Sequence, residues 1–225
     1  MTINARTVSK LSKSTISIGV LIILYLVGLI GVTVPLHEDF MLLTPINLFV
    51  TFFVALYAQD LIKSKLVLAL VLCYIFGFVI ELVGVQTGLL FGDYTYGATL
   101  GPKMAGTPLM IGLNWAMLVY AVVSISNHYL GAKSFLIKSI FGASGMVVLD
   151  IFIEPAAVRY DFWSWGLAPY NTLIVAPLQN YLVWWVAAFG LNIMFHNLAP
   201  NTKNLAIEVL FYLQMLFFVW IFFFV

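Results

Sequence analysis

A chain of 225 residues that is 63% hydrophobic and only 8% charged, with mean hydropathy +1.07, has more apolar surface than any globule can bury, so a water-soluble domain is excluded and lipid must serve as solvent. A net charge of +1 excludes the basic footprint of a nucleic-acid binder. The single cysteine, Cys73, excludes an intramolecular disulfide.

Arg6, Lys10 and Lys13 precede an apolar run of about 20 residues without a small-residue cleavage motif, which is a spanning length rather than a signal peptide. Residues 1–14 then form a cytoplasmic tail. Seven apolar segments of bilayer length follow in order: Thr15 to Val34, Leu43 to Leu61, Leu66 to Gln86, Pro108 to Ser126, Ser134 to Ile153, Leu173 to Phe195 and Leu205 to Val225. Thr44-Pro45 and Thr107-Pro108 suit an N-cap followed by the first helical position, whereas Pro177 kinks or delays the sixth helix. The fold expected is all-α: one polytopic membrane bundle of about seven transmembrane helices, with residues 1–225 as a single domain. With the N-terminus inside, Arg6, Lys10, Lys13, Lys63, Lys65, Lys133, Lys138 and Lys203 all fall at cytoplasmic ends, leaving Lys103 and Arg159 outside. That bias predicts an integral protein of a prokaryotic inner membrane.

Four helices aim polar groups at one layer in the outer half of the membrane, roughly 5 to 13 Å deep: Glu81, Asn114, Asp150, and Gln179 with Asn180, with Glu154 at the rim. An ionised carboxylate in lipid costs at least a few kcal/mol, so such acids face the bundle interior, find partners or stay protonated. Each has a purely structural alternative. Glu81 can be a buried protonated acid bonding across helices. Glu154, next to Pro155, can end its helix and pair with Arg159. The amides can be inter-helix glue. The cytoplasmic half offers little beyond Gln59, Asp60 and Ser and Asn side chains. Gly77, Gly84 and Gly88 read as close-packing positions.

Between the third and fourth segments, a glycine-rich loop carrying Phe91, Tyr94 and Tyr96 reads as a re-entrant lid over the polar layer, or as an ordinary ordered loop. The opposite loop, Arg159 to Asn171, carries Tyr160, Trp163, Trp165 and Tyr170, which fit either an interfacial belt or a second half of the same cover. His37, His128 and His196 are expected at different membrane ends, and no metal-ligand set, phosphate loop or nucleophile elbow is legible. Buried acids, amides and aromatic faces fit protonation of an alkene, with the cation held by ring quadrupoles and trapped by water or an internal double bond.

The segments "ELVGVQTGLLFGDYTYGATLGPKMAGTPL", Asn114-Trp115, "LDIFIEPAAVRYDFWSWG" and "APLQNYLVWW" resemble, in this order, the membrane carotenoid biosynthesis family, which includes the carotenoid hydratases of gamma-carotene or bisanhydrobacterioruberin. The resemblance covers about Leu66 to Phe195. It implies addition of water to the terminal C-1′,2′ double bond of a linear isoprenoid end group, giving a tertiary alcohol, with no cofactor. A membrane-embedded carotenoid would be the substrate, the lipid bilayer the medium, and other enzymes of the carotenoid pathway candidate partners. From residue chemistry, Glu81 or Asp150 would protonate C-2′. Faces of Trp115, Trp184 or Tyr94 would stabilise the cation. Asn180, Gln179 and a second carboxylate, such as Glu154, would hold the water. Tyr96, Asn114, Trp163 and Trp165 complete the expected substrate site. A carotenoid cyclase would use the same proton donor and a proton-coupled transporter similar acids. A retinal protein would need a mid-membrane lysine, whereas Lys203 precedes the seventh segment.

Overall fold

The computed structural model describes residues 12–34, 40–165 and 172–225; Arg6, Lys10, His37, Glu38, Asp39, Tyr170 and Asn171, which bear on the topology and loop readings, lie outside them. Seven helices carry the described chain: α1 (Lys13–Thr33), α2 (Thr44–Tyr57), α3 (Ser64–Thr87), α4 (Leu109–Tyr129), α5 (Phe135–Arg159), α6 (Leu178–Leu198) and α7 (Leu205–Phe224). All but α2 are long and apolar enough to cross a membrane. At 14 residues, α2 reaches only about 21 Å and falls short of the ~30 Å hydrocarbon layer. The architecture is that of a polytopic helical membrane protein, as the hydropathy predicts.

Local chemistry sets the helix ends, not always at the expected residues. The Ser12 and Ser134 hydroxyls accept from the backbone N–H of Thr15 and Ile137, and the Asn204 side chain caps α7 through Ala206 and Ile207. Neither threonine of the Thr-Pro pairs caps a helix. Thr44 Oγ1 donates back to the Met41 carbonyl, although Pro45 does lie in the first turn of α2. Thr107 and Pro108 form a strand, β3, and α4 begins one residue later. Pro177 delays α6, with ψ 150° holding it extended at the N-cap, so the helix starts at Leu178 rather than Leu173. In α5 the chain stays helical through Pro155 to Arg159, six residues past the expected end at Ile153. Asp150 and Glu154 therefore lie further from the helix end than anticipated. Gly88 is not a packing position: at φ +65° it ends α3 in the left-handed conformation that favours glycine.

The buried axis of the bundle is α4, in which every residue from Trp115 to Asn127 is buried. Around it, α3 packs on α4, α5 packs on α6, and α7 touches α1, α2, α4 and α5. The close approach of α3 to α4 depends on Gly77, where any Cβ would overlap the Trp115 indole. Outward-facing Ile23, Ile30, Leu68, Leu182, Val186 and Leu216 are exposed, the surface expected of a lipid-facing bundle. At one end the two aromatic loops are joined by strands. β1 (Thr95–Tyr96) pairs antiparallel with β4 (Trp163–Ser164), placing Tyr96 opposite Trp163, and β2 (Lys103–Met104) pairs with β3 (Thr107–Pro108).

Candidate active site

Beneath the joined loops the expected acids are buried: Glu81 on α3, and Asp150 and Glu154 on α5, are 3%, 1% and 1% exposed. Glu81 Oε2 accepts from the hydroxyls of Tyr94 at 2.6 Å and Tyr96 at 2.8 Å, and Oε1 accepts from Trp115 Nε1 at 3.1 Å. Three donors converge on one carboxyl group. Glu154 is equally well served: Oε2 accepts from the indole N–H groups of Trp163 at 3.0 Å and Trp165 at 2.7 Å, and Oε1 from Asn180 Nδ2 at 3.4 Å. Asp150 takes a single hydrogen bond among the described residues, from Asn180 Nδ2 at 3.1 Å. Asn180 thus bridges the two acids of α5, and each of the three carboxyl groups lies within electrostatic reach of another.

Ring packing joins the two halves. Tyr94 lies 4.9 Å from Trp165 and 5.4 Å from Tyr96, Tyr96 is 5.9 Å from Trp163, and Trp115 lies 4.4 Å from Trp184 with the rings tilted by 31°, all between centroids. The cover is tied to the bundle. Gln179, exposed at the start of α6, donates to the carbonyls of Leu89 and Leu90, so it clamps the loop and does not enter the layer. Asp161 accepts from the Ala98 N–H, Thr99 donates to the Tyr160 carbonyl, and a Cβ at Gly97 would run into Asp161. Burial, and then the neighbouring Glu81 charge, push the Tyr94 and Tyr96 hydroxyls well above their ordinary range, which keeps them donors. The indoles of Trp163 and Trp165 point inward at Glu154, not outward as an interfacial belt. Glu154 has these partners in place of Arg159, whose guanidinium lies over the Tyr160 ring at 5.5 Å.

Two features escaped sequence reasoning. At the opposite end of α4, Glu208 is 2% exposed and accepts from Ser124 Oγ at 2.7 Å, with His128 Nδ1 2.8 Å away. Asn204 Nδ2 donates to Tyr120 Oη, which donates to Gln59 Oε1. Polarity is therefore not confined to one end of the bundle. His128 and His196 also share an end, His196 lying 3.4 Å from Ser126 on α4. The signal for Glu208 was available, since it stands four residues inside the last apolar segment and meets the criterion applied to Glu81. The second feature is a cavity of about 270 Å³ between α1, α2 and α7, lined by Tyr25, Gly28, Leu48 and Phe217 among others. It shares Thr44, Leu48, Phe162, Gln214 and Phe218 with a smaller one of about 50 Å³, which ends at Asn114, Ile153 and Trp163. The route runs from a lipid-facing surface, where Leu43 and Ile46 are exposed, to the tryptophan that donates to Glu154.

Fold and site together define an integral membrane protein with a buried carboxylate and aromatic network reached from the lipid side. Residues 43–225 match the family described as carotenoid biosynthesis protein, and the chain belongs to that family. It is similar to the bisanhydrobacterioruberin hydratase of Haloarcula japonica, 31% identical over 127 residues. That alignment takes in 55% of this chain and 42% of the relative, so the match spans less than half of the relative's length. No solved structure matches the chain.

Proposed function

We propose that this protein is a cofactor-independent carotenoid hydratase, adding water across the terminal C-1′,2′ double bond of a linear isoprenoid end group. The observation that carries the reading is the inequality among the three acids. Glu81 and Glu154 each accept three hydrogen bonds, the environment of an ionised carboxylate, whereas Asp150 accepts one. Asp150 is then the group that holds the proton. It lies one turn before Ile153 on the same helix face, and Ile153 lines the inner cavity. Proton transfer from Asp150 to C-2′ breaks the π bond and leaves a cation at C-1′. The π face of Trp163, which lines the inner cavity, and the paired rings of Trp115 and Trp184 stabilise it. Water oxygen bonds to C-1′, and the proton it sheds returns to the carboxylate, restoring the enzyme.

The hydratase name of the Haloarcula relative supports the same reaction, as does family membership. In this reading Tyr94, Tyr96 and Trp165 hold the two permanent carboxylates in register. The positive-inside bias, with α2 returning to the end of the bundle where Lys13 lies over the Tyr57 ring, supports a network on the non-cytoplasmic side of an inner membrane and a cytoplasmic N-terminus. The test is expression in a host that accumulates a linear carotenoid, followed by weighing the extracted pigment. A gain of one water supports the reading. A product of unchanged mass makes the protein a cyclase, and unaltered pigment with the protein present in the membrane overturns the enzyme assignment for that substrate class.

A further inference from the structure

Most buried amides of this bundle are committed to its own packing. Asn180 bridges two acids, Asn127 donates to the Thr202 carbonyl, and Asn204 donates to the Ala55 carbonyl and to Tyr120. Gln214, in the middle of α7, is different. It is 3% exposed, its Oε1 accepts no hydrogen bond among the described residues, and its neighbours are the weak acceptor Met117 Sδ, 4.0 Å from Nε2, and the Tyr25 side chain of α1. A buried amide in this condition gives up hydrogen bonds that water would supply. Such a group in a native fold calls for an explanation in function. Gln214 lines both cavities and stands where they meet. Asn114, half-buried, lines the inner one, and its side chain makes no hydrogen bond among the described residues.

The inner cavity, about 50 Å³, is too small for more than the tip of a hydrocarbon but large enough for water, which takes about 30 Å³ and needs two to four polar partners. Two amides supply acceptors and donors in the required number. The outer cavity is lined almost wholly by apolar side chains and suits the chain behind that tip.

We infer that Gln214 and Asn114 form the site that holds the attacking water and, after reaction, the tertiary hydroxyl of the product, while the groove between α1, α2 and α7 takes the isoprenoid chain. The inference rests on the hydratase reading and names the water position within it. Water set between these amides faces Trp163, beside which the cation develops. Its oxygen bonds to C-1′ as one of its protons leaves for the carboxylates of α5.

Gln214→Met keeps the side-chain volume and removes a buried amide oxygen that has no donor, so it is expected to hold or raise the melting temperature. Asn114→Leu removes the second amide from a different helix. Both are purified beside the wild type and incubated with a preformed linear carotenoid in deuterated water, and the pigments are analysed by mass. Hydrated product is expected to fall at least tenfold in each variant at wild-type amounts of membrane protein. Carbon-bound deuterium should still enter the pigment, because the cation forms and decays by proton loss. Wild-type hydration in either variant overturns the inference, and so does loss of deuterium entry together with hydration, which makes the amides part of binding or protonation. A lowered melting temperature for Gln214→Met also counts against it, by making that amide structural. If the wild type itself hydrates nothing, it is the hydratase reading that fails.

Discussion

Glu81→Gln isolates the chemistry of one carboxylate without changing its shape. In the native protein both oxygens of Glu81 accept, Oε2 from Tyr94 and Tyr96 and Oε1 from Trp115. A glutamine can keep its carbonyl toward the two tyrosines, but its NH₂ then faces the Trp115 N–H, donor against donor. Trp115 is 0% exposed, so that N–H has no water to turn to. One stranded buried donor costs about 1–3 kcal/mol. For a chain of this size this is a fall in melting temperature of roughly 2–12 °C. Glu81→Ala strands all three donors and should fall about three times as far. The assay is thermal unfolding of the detergent-solubilised protein, with Trp115→Phe in the same series. Trp115→Phe removes the opposed indole donor but leaves the glutamine NH₂ without an acceptor, so Glu81→Gln combined with Trp115→Phe should recover part of the loss and not all of it. A Glu81→Gln protein as stable as the wild type, or no recovery in the double variant, would refute the view that Glu81 is an ionised acceptor of three bonds.

Asp150→Asn keeps the volume and the Asn180 contact after an amide flip, so membrane levels should stay within about twofold while hydrated pigment drops by about 10²-fold or more, the usual scale for losing a general acid. Gly77→Ala forces the Trp115 indole away from α3 and should destabilise by about 1–3 kcal/mol, read as a lower melting temperature with altered tryptophan fluorescence. The tyrosine pair gives a pH signature. Burial and the Glu81 charge raise both hydroxyls above their ordinary value of 10.0, so the native state holds protons that the unfolded state releases. The stability they confer is whole below pH ~10 and falls as pH rises past it. Melting temperature against pH from 8 to 12 should therefore decline more gently in the Tyr94→Phe, Tyr96→Phe protein; an unchanged slope would count against buried, neutral hydroxyls.

Depth along the chain was legible because bilayer thickness converts hydropathy directly into helix length, and the acids in apolar runs announced themselves by their energetic cost. Proline and glycine were harder. Pro155 reads as a stop, yet packing of α5 against α6 carries the helix through it, and Gly88 looks like a packing glycine but serves the left-handed cap. Which partner each acid takes was not legible. Tyr94 and Trp163 fold back on acids only 13 and 9 residues earlier, but the two halves meet through β1 and β4, which pair across about 70 residues of sequence in a register no local pattern encodes. Gln214 carried no warning either. One amide in an aromatic helix looks like glue until the unpartnered oxygen and the cavity beside it are seen together.

The central claim, that a carboxylic acid in this network protonates a carbon of a linear carotenoid and water completes the addition, is met most directly by reacting the purified protein with such a carotenoid in deuterated water under argon. The account expects a hydroxylated product carrying one carbon-bound deuterium, formed by the wild type and absent with Asp150→Asn. A hydroxylated product without carbon-bound deuterium, or equal deuterium with Asp150→Asn, would contradict it.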